Sequence, residues 1–483
     1  MRLLDGIAIM TPTLIAVGSP SLAVDFDLAT LQRLSTNGPR YTSYPTADRF
    51  ASDFTEKDYI LATRERRERG LRAPLSLYIH IPFCESVCYY CACNKVVTKD
   101  RRKANHYLNY LEQEIALHAR HYDGQDIVSQ LHWGGGTPTY LEPAQLHRLM
   151  QSLRESFQFA SDELGEYSIE IDPRTVNAST LSALRSMGFN RVSLGVQDID
   201  PKVQQAINRI QPIAQTLDVM GMVQRLGFRS TSIDLIYGLP HQSVSSFRQT
   251  IDTIIAARPS RIALYHYAHL PSRFKPQRRI DELALPSSAE KLLILQLAIE
   301  QLAAAGYAYI GMDHFALPTD ELAIAQRQGR LHRNFQGYST HAQADLIGIG
   351  VSAIGAMGRS YLQNARDLET YYALLDNKQL PIQRGLHMTM DDRIRRTVIQ
   401  SLMCHFELCK SAVEEIYPID FDAYFQSELI ALKPFIADGL IQHEGDWLSV
   451  TPKGRLVVRN VAMVFDAYLR QGQPTLAQYS QTV

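Results

Sequence analysis

The chain has 483 residues, of which 45% are apolar, 20% charged and 9% aromatic, a globular composition that excludes a disordered or fibrous chain. Its 49 Lys and Arg against 50 Asp and Glu leave a net charge of −1. That balance excludes an overall basic coat for nucleic acid or anionic membrane, while leaving room for a local basic pocket.

No apolar run reaches the roughly 18 residues that a membrane-spanning helix needs. Residues 3–24 are apolar and rich in small side chains, loosely like a signal peptide. Asp5, the single basic residue Arg2, and Pro12 and Pro20 count against export. The expectation is a poorly ordered leader over 1–23 and a cytoplasmic protein.

The first strand is read over Leu75 to Phe83, an apolar, β-branched and aromatic run ended by proline and cysteine. A helix follows near 103–120, then a strand in SQLHW that ends at Gly134-Gly135-Gly136-Thr137-Pro138. Helix 143–157 leads to strand YSIEID, helix 177–187 to RVSLGVQ, and helical material to about Leu226 leads to TSIDLIYG. Helix 244–257 leads to a sixth strand, RIALYHY. Six strands alternating with helices predict a parallel sheet with right-handed crossovers: an α/β, incomplete (β/α)6 barrel open on one side. Chemistry in such barrels collects at the C-terminal strand ends, where the cysteines, Gly134–Thr137, Glu170, Gln197, Asp234 and His266 fall.

From about Asn377 the pattern changes to helices over 391–415 and 420–438, then a hairpin and a helix, which predicts a mostly helical, winged-helix-like C-terminal domain. Lys453, Arg455 and Arg459 are too few for a phosphate-tracking surface, so no nucleic-acid partner is expected. The domain reading is a leader at 1–23, an N-terminal segment at 24–74 that contributes to a substrate site, a barrel with its extension at 75–376, and the helical domain at 377–483.

Four of six cysteines crowd into ten residues: Cys84, Cys88, Cys91 and Cys93. A secreted disulfide framework spreads its cysteines, so these read as reduced thiols gathered for metal or redox chemistry. Cys404 and Cys409, in an apolar run, read as buried small hydrophobes. Soft thiolates bind zinc or iron–sulfur clusters. Structural zinc takes four ligands, usually from two separated pairs. The C-x3-C-x2-C spacing of Cys84, Cys88 and Cys91 has no distant pair; three cysteines on a four-iron cluster leave one iron open for a small molecule.

That spacing at the end of the first barrel strand resembles the radical S-adenosylmethionine superfamily. GPRYTSYPTA, LSLYIHIPFC, CACNKVVT, HWGGGTPTYL, EIDPRT, LGVQD, IDLIYGLP, YAHLP, IGMDHFA, HRNFQGYST and TPKGRLVVRN together resemble its oxygen-independent coproporphyrinogen III oxidase (coproporphyrinogen dehydrogenase) family, from about Val24 to the C-terminus. The resemblance implies oxidative decarboxylation of two propionates of coproporphyrinogen III to vinyl groups, giving protoporphyrinogen IX in haem biosynthesis. It implies a [4Fe-4S] cluster on Cys84, Cys88 and Cys91, and S-adenosylmethionine, two molecules of it. Cofactor contacts carried over are Tyr78, Tyr90, Gly135, Gly136, Thr137, Glu170, Gln197, Arg209, Asp234, Ala268 and Ile354. Alone, a glycine triplet is only a turn signal; at the end of the second strand it lets the backbone approach a ligand.

Cys93, which follows the third ligand by two positions, is carried over as an assistant to substrate chemistry. With Asn94-Lys95 it separates the oxidases from the related haem chaperones. Arg40, Tyr41, Tyr44, His269 and Arg333 are candidates for the propionates. His266 departs from the asparagine expected there. A reductant such as flavodoxin, an external electron acceptor that the sequence does not name, and a monomeric chain complete the expectation. The alternatives are a haem-binding chaperone and a radical enzyme acting on another tetrapyrrole.

Overall fold

Leu75–Ile81 (β1) is a strand because it alternates, with apolar Leu75, Leu77, Ile79 and Ile81 on one face and Ser76, Tyr78 and His80 on the other. Leu75, Leu77, Ile79 and Ile81 are fully buried, each worth about 1.5–3 kcal/mol relative to exposure. The other five expected strands are Ile127–Gly135 (β2), Glu166–Ile171 (β3), Arg191–Gln197 (β4), Ser230–Tyr237 (β5) and Arg261–His266 (β6). They pair in parallel in the order β6-β5-β4-β3-β2-β1. The computed structural model describes residues 24–68, 73–471 and 479–482, so the expected leader over 1–23 lies outside the described residues.

The sheet does not stop at the free edge of β1. Asp345–Ile349 (β7) pairs with it in parallel, Tyr78 opposite Gly348. Ile354–Met357 (β8), Ser360–Asn364 (β9) and Ile382–His387 (β10) then continue it antiparallel. All five residues of β7 are buried. A strand that short, buried on both faces, lacks the alternation that marks a half-exposed strand, so the expectation of six strands missed it.

Helix Arg102–Ala119 buries Ala104, Tyr107, Leu108, Leu111, Glu114, Ile115 and His118, mostly three or four residues apart on one face. Pro143–Ser156 begins with a capping box between Glu142 and Gln145 and proline in its first turn. The helices Ala178–Ser186 and Val244–Ala257 fall within a residue of their expected ranges.

The chain divides into two units. The larger is Phe50–Ile294 with Gln343–His387 and holds β1 to β10; the smaller holds the described residues of Met1–Arg49, Leu295–Ala342 and Met388–Val483. In the smaller unit the helix expected over 391–415 is interrupted. Met390–His405 ends where Phe406 adopts φ 61°, and Glu407–Cys409 turns away as a third strand beside the hairpin Ile441–Glu444 and Trp447–Val450. Cys404 is buried as expected, but Cys409 on that strand is only half-buried and bonds Ser411 Oγ at 3.3 Å. Lys453 pairs with Asp27 at 2.8 Å, Arg459 donates to the carbonyls of Pro39 and Gln481, and Arg455 stacks on Phe406. Among the described residues no helix is long and apolar enough to cross a membrane.

Candidate active site

The cysteine loop has little regular structure, so its backbone groups need other partners. Its two ends are pinned by a short parallel pairing, Phe83 with Val96 and Cys84 with Val97, extended by Val96 N to Pro82 O and Thr98 N to Cys84 O. Between them, Asn208 Nδ2 donates to Val87 O at 2.8 Å, Tyr89 N to Ile207 O at 2.9 Å, Gln277 Nε2 to Tyr90 O at 3.0 Å and Lys95 Nζ to Cys91 O at 2.9 Å. The loop is therefore a fixed platform at the end of β1.

Cys84 Sγ lies 3.5 Å from Thr137 Oγ1, and burial pushes its thiol up to about 11. Cys88 is buried, with Arg209 Nη1 3.6 Å from its sulfur. The Cys91 thiol is lowered to about 6, first by a hydrogen bond with Cys93 and then by the Lys95 ammonium. Cys93 is exposed on the loop. Among the described residues no three His, Cys, Asp or Glu side chains converge on the position of a single metal ion. Three thiols on one rigid loop, with a buried guanidinium beside the middle one, fit the donor set of an anionic cluster. Arg209 also keeps its buried Nε without a hydrogen-bond partner.

The polar residues around this loop follow from strand alternation. In β3 the half-buried positions are Glu166, Ser168 and Glu170, while Tyr167, Ile169 and Ile171 are buried. Neighbouring register places Ser168 beside His132, Glu170 beside Ser193, and Gly195 beside Asp234. Glu170 accepts from Gly135 N at 3.2 Å and lies 3.2 Å from His132 Nε2. Tyr78 stacks on His132, with ring centroids 5.9 Å apart, and its hydroxyl meets His80 Nδ1 at 3.1 Å.

The glycine turn is built for close approach. Gly135 has φ +116°, and a Cβ on Gly136 would stand 2.7 Å from the Pro82 backbone. Gly136 N donates to Ile81 O and Thr137 N to Phe83 O, which seats the turn against the approach to Cys84.

Arg209 gathers the other side. It donates to Asp172 Oδ2 at 3.0 Å and to Gly195 O at 2.6 Å, and Arg174 completes the salt bridge to Asp172 at 2.7 Å. Gln197, at φ 69°, follows a register shift between Gly195 and Gln197. A Cβ on Gly195 would meet both Gln197 Nε2 and Arg209 Nη2. Gln277 Nε2 bridges Tyr90 O and Ala268 O, at 3.0 and 3.1 Å. Tyr90 packs against the buried cluster of Val203, Ile207, Ile236, Leu239, Tyr267 and Ile280. Ile354 lies against Gly348, the register partner of Tyr78.

The carried-over residues thus fall on one set of strands and adjoining loops in the larger unit. His132, Asp172 and Gln277 belong to the same set and were not singled out in the sequence. Asp172 is two residues beyond Glu170 and His132 two before Gly134, so strand period marks both. Gln277 has no such signal.

The substrate candidates divide differently. Tyr41 and Tyr44 are buried in the smaller unit, where Tyr41 donates to Asp466 Oδ2 at 3.0 Å and Tyr44 accepts from Ala467 N at 3.1 Å. In that unit Arg40 pairs with Asp313, and Arg333 donates to Arg40 O at 3.3 Å and lies over the Tyr338 ring. His269, in the larger unit, meets Tyr267 Oη at 2.8 Å and Glu282 Oε1 at 3.1 Å. His266 stacks on Tyr237, centroids 5.1 Å apart.

Asp234 carries a pH dependence. Burial first, and then the Glu170 charge, raise its carboxyl from 3.8 to about 7, against the Ser193 hydroxyl 3.3 Å away. The unfolded chain releases this proton near 3.8 and the folded chain near 7. Between those values the folded state holds the extra proton, so this group's contribution to stability falls as pH rises and is flat above. Asp234→Asn removes that loss. In denaturant unfolding of cofactor-free protein, the variant is expected to gain on wild type by roughly 2–3 kcal/mol between pH 5 and pH 8. An unchanged difference would show that the carboxyl is already ionised at pH 5.

Comparison with known proteins agrees with this geometry. The Radical SAM superfamily model matches residues 78–254, and the HemN C-terminal domain model matches 388–457. The oxygen-independent coproporphyrinogen III oxidase of Pseudomonas aeruginosa is 52% identical over 92% of this chain and 96% of its own. That of Escherichia coli is 48% identical over 95% of this chain and 99% of its own. A solved structure described as "Coproporphyrinogen III oxidase (HemN) from Escherichia coli is a Radical SAM enzyme" is 47% identical, covers 92% of this chain and all of that one, and superposes with a TM-score of 0.87. With the cysteine platform, the glycine turn and the barrel in place, these similarities make the chain a member of the oxygen-independent coproporphyrinogen III oxidase family of radical SAM enzymes.

Proposed function

We propose that the chain converts coproporphyrinogen III to protoporphyrinogen IX without oxygen, turning two propionates into vinyl groups. The observation that carries this is the rigid loop presenting Cys84, Cys88 and Cys91 beside the Gly134–Thr137 turn, Glu170 and Arg209. The family's named activity supports it.

Cys84, Cys88 and Cys91 would hold the [4Fe-4S] cluster, which supplies the electron that cleaves S-adenosylmethionine to a hydrogen-abstracting 5′-deoxyadenosyl radical. The chain's own residues do the positioning. Arg209 sets a fixed positive charge beside Cys88 and cannot be deprotonated. The Gly135–Gly136 turn, seated close against His80 and Pro82, would meet a ligand's amino end through its backbone, and Glu170 and Asp234 offer carboxylates to hydroxyls or to a sulfonium. Tyr78, Tyr90, Thr137, Gln197, Ala268 and Ile354 complete the contacts. Polar groups at so many strand ends support two molecules of S-adenosylmethionine.

At each propionate a hydrogen atom leaves the β-carbon, CO2 departs and one further electron is released, which leaves a vinyl group. An external acceptor takes that electron, and a reductant such as flavodoxin loads the cluster. His269, in the larger unit, serves the propionates. Cys93, exposed on the loop two residues after Cys91, assists at the substrate. The chain acts as a monomer in the cytoplasm, a compartment that keeps such thiols reduced.

The test is anaerobic incubation of the reconstituted protein with coproporphyrinogen III, S-adenosylmethionine, reductant and cell extract. Protoporphyrin, detected after oxidation and absent without S-adenosylmethionine, is expected. Stoichiometric haem binding with no turnover would overturn the reading in favour of a chaperone, and methyl transfer to haem in favour of another tetrapyrrole enzyme.

A further inference from the structure

Among the buried polar side chains of helix Arg102–Ala119, Tyr107 and Glu114 are used by none of these roles. They lie seven residues apart, two helical turns, on one face. The two Glu114 oxygens accept three hydrogen bonds: Gly350 N at 2.8 Å and Tyr371 Oη at 2.5 Å on Oε2, and Asn364 Nδ2 at 2.6 Å on Oε1. Asn364 Nδ2 also donates to Gly350 O at 2.9 Å. The turn after β7 is thus gripped through both polar groups of Gly350.

Tyr107 works on the same turn from the other side. The β1–β7 ladder ends at Ile79 opposite Ile349. Just beyond it, the Tyr107 hydroxyl donates to His80 O at 2.8 Å and accepts from Val351 N at 3.0 Å. One side-chain oxygen thereby continues the pairing that the backbone gives up. There is no slack: Gly350 has φ +104°, and a Cβ there would stand 2.6 Å from Tyr107 Oη and 2.7 Å from His80 O. The Tyr107 ring is itself held by Phe83, edge-on at 5.5 Å, and by Tyr371 at 5.7 Å. Four residues after His80 comes Cys84; three after Val351 comes Ile354.

We propose that Tyr107, anchored by the Glu114 network, is a positioning residue that holds the strand end carrying the cysteine loop in register with the turn before Ile354. It acts through His80 and Val351 and touches no reacting atom. Its consequence for S-adenosylmethionine rests on the proposed function; the coupling of the two segments does not.

Tyr107→Phe is the clean test, because the ring keeps its contacts and only the hydroxyl goes. In cofactor-free protein, amide exchange in peptides covering 79–84 and 350–354 is expected to rise together by about tenfold, with β3 to β5 unchanged. In reconstituted protein, iron content is expected to match wild type. KM for S-adenosylmethionine is expected to rise about five- to tenfold with little change in kcat. Glu114→Gln, which turns an amide donor toward buried donors, is expected to loosen the same two segments more strongly. Unchanged exchange in both segments of Tyr107→Phe, or a rise spread evenly over the whole sheet, would overturn the proposal. If wild-type protein failed to turn over coproporphyrinogen III, the proposed function would fall, while the exchange result would still decide the coupling.

Discussion

Cys88→Ser protein, reconstituted anaerobically, is expected to lose the cluster's absorbance and to fall below about one-hundredth of wild-type turnover. The loop explains why no other residue rescues it. Cys88 is the buried member of the three, and Asn208 and Ile207 fix the backbone on either side of it through Val87 and Tyr89. Cys93 is the remaining thiol of the loop, but it is exposed and only two residues from Cys91. A hard serine oxygen is a poor substitute for a soft thiolate at iron. The check is iron and sulfide content together with 5′-deoxyadenosine formation. Wild-type iron with wild-type turnover would remove Cys88 from the ligand set.

Arg209→Leu is the second large effect, and it is one of stability as well as activity. Arg209 is 6% exposed, and its guanidinium serves Asp172, Gly195 O and the Cys88 sulfur at once. Breaking a buried pair by removing one partner costs about 3–5 kcal/mol. The low end is expected here, because Arg174 still holds Asp172 at 2.7 Å. Arg209→Lys does not restore the site, since a single ammonium cannot span three acceptors in a plane. Arg148→Ala, which breaks an exposed pair with Glu112, provides the contrast: under about 1 kcal/mol. Denaturant unfolding of cofactor-free protein distinguishes the two. Equal costs would mean that Arg209 is no more than a surface charge.

The six strands were legible because each ends in a change of residue type, from apolar run to glycine, cysteine or a polar side chain, and because helices of ordinary length separate most of them. The three cysteines were legible from spacing alone, and most other contacts only through longer motifs. β7 was not, because DLIGI is buried on both faces and shows no alternation. The break at Phe406 was not, because a phenylalanine in left-handed conformation carries no local signal. Asp172 and His132 lay within reach of the period-two pattern. Gln277 did not: its place at Tyr90 and Ala268 depends on a fold-level encounter between residues 187 positions apart.

The most direct measurement uses coproporphyrinogen III deuterated at the β-carbons of its propionates. Anaerobic turnover by the reconstituted protein is expected to place deuterium in the recovered 5′-deoxyadenosine as protoporphyrinogen IX forms. Product formed with unlabelled 5′-deoxyadenosine, or S-adenosylmethionine cleaved with no porphyrinogen consumed, would contradict radical decarboxylation of this substrate at the Cys84–Cys88–Cys91 site.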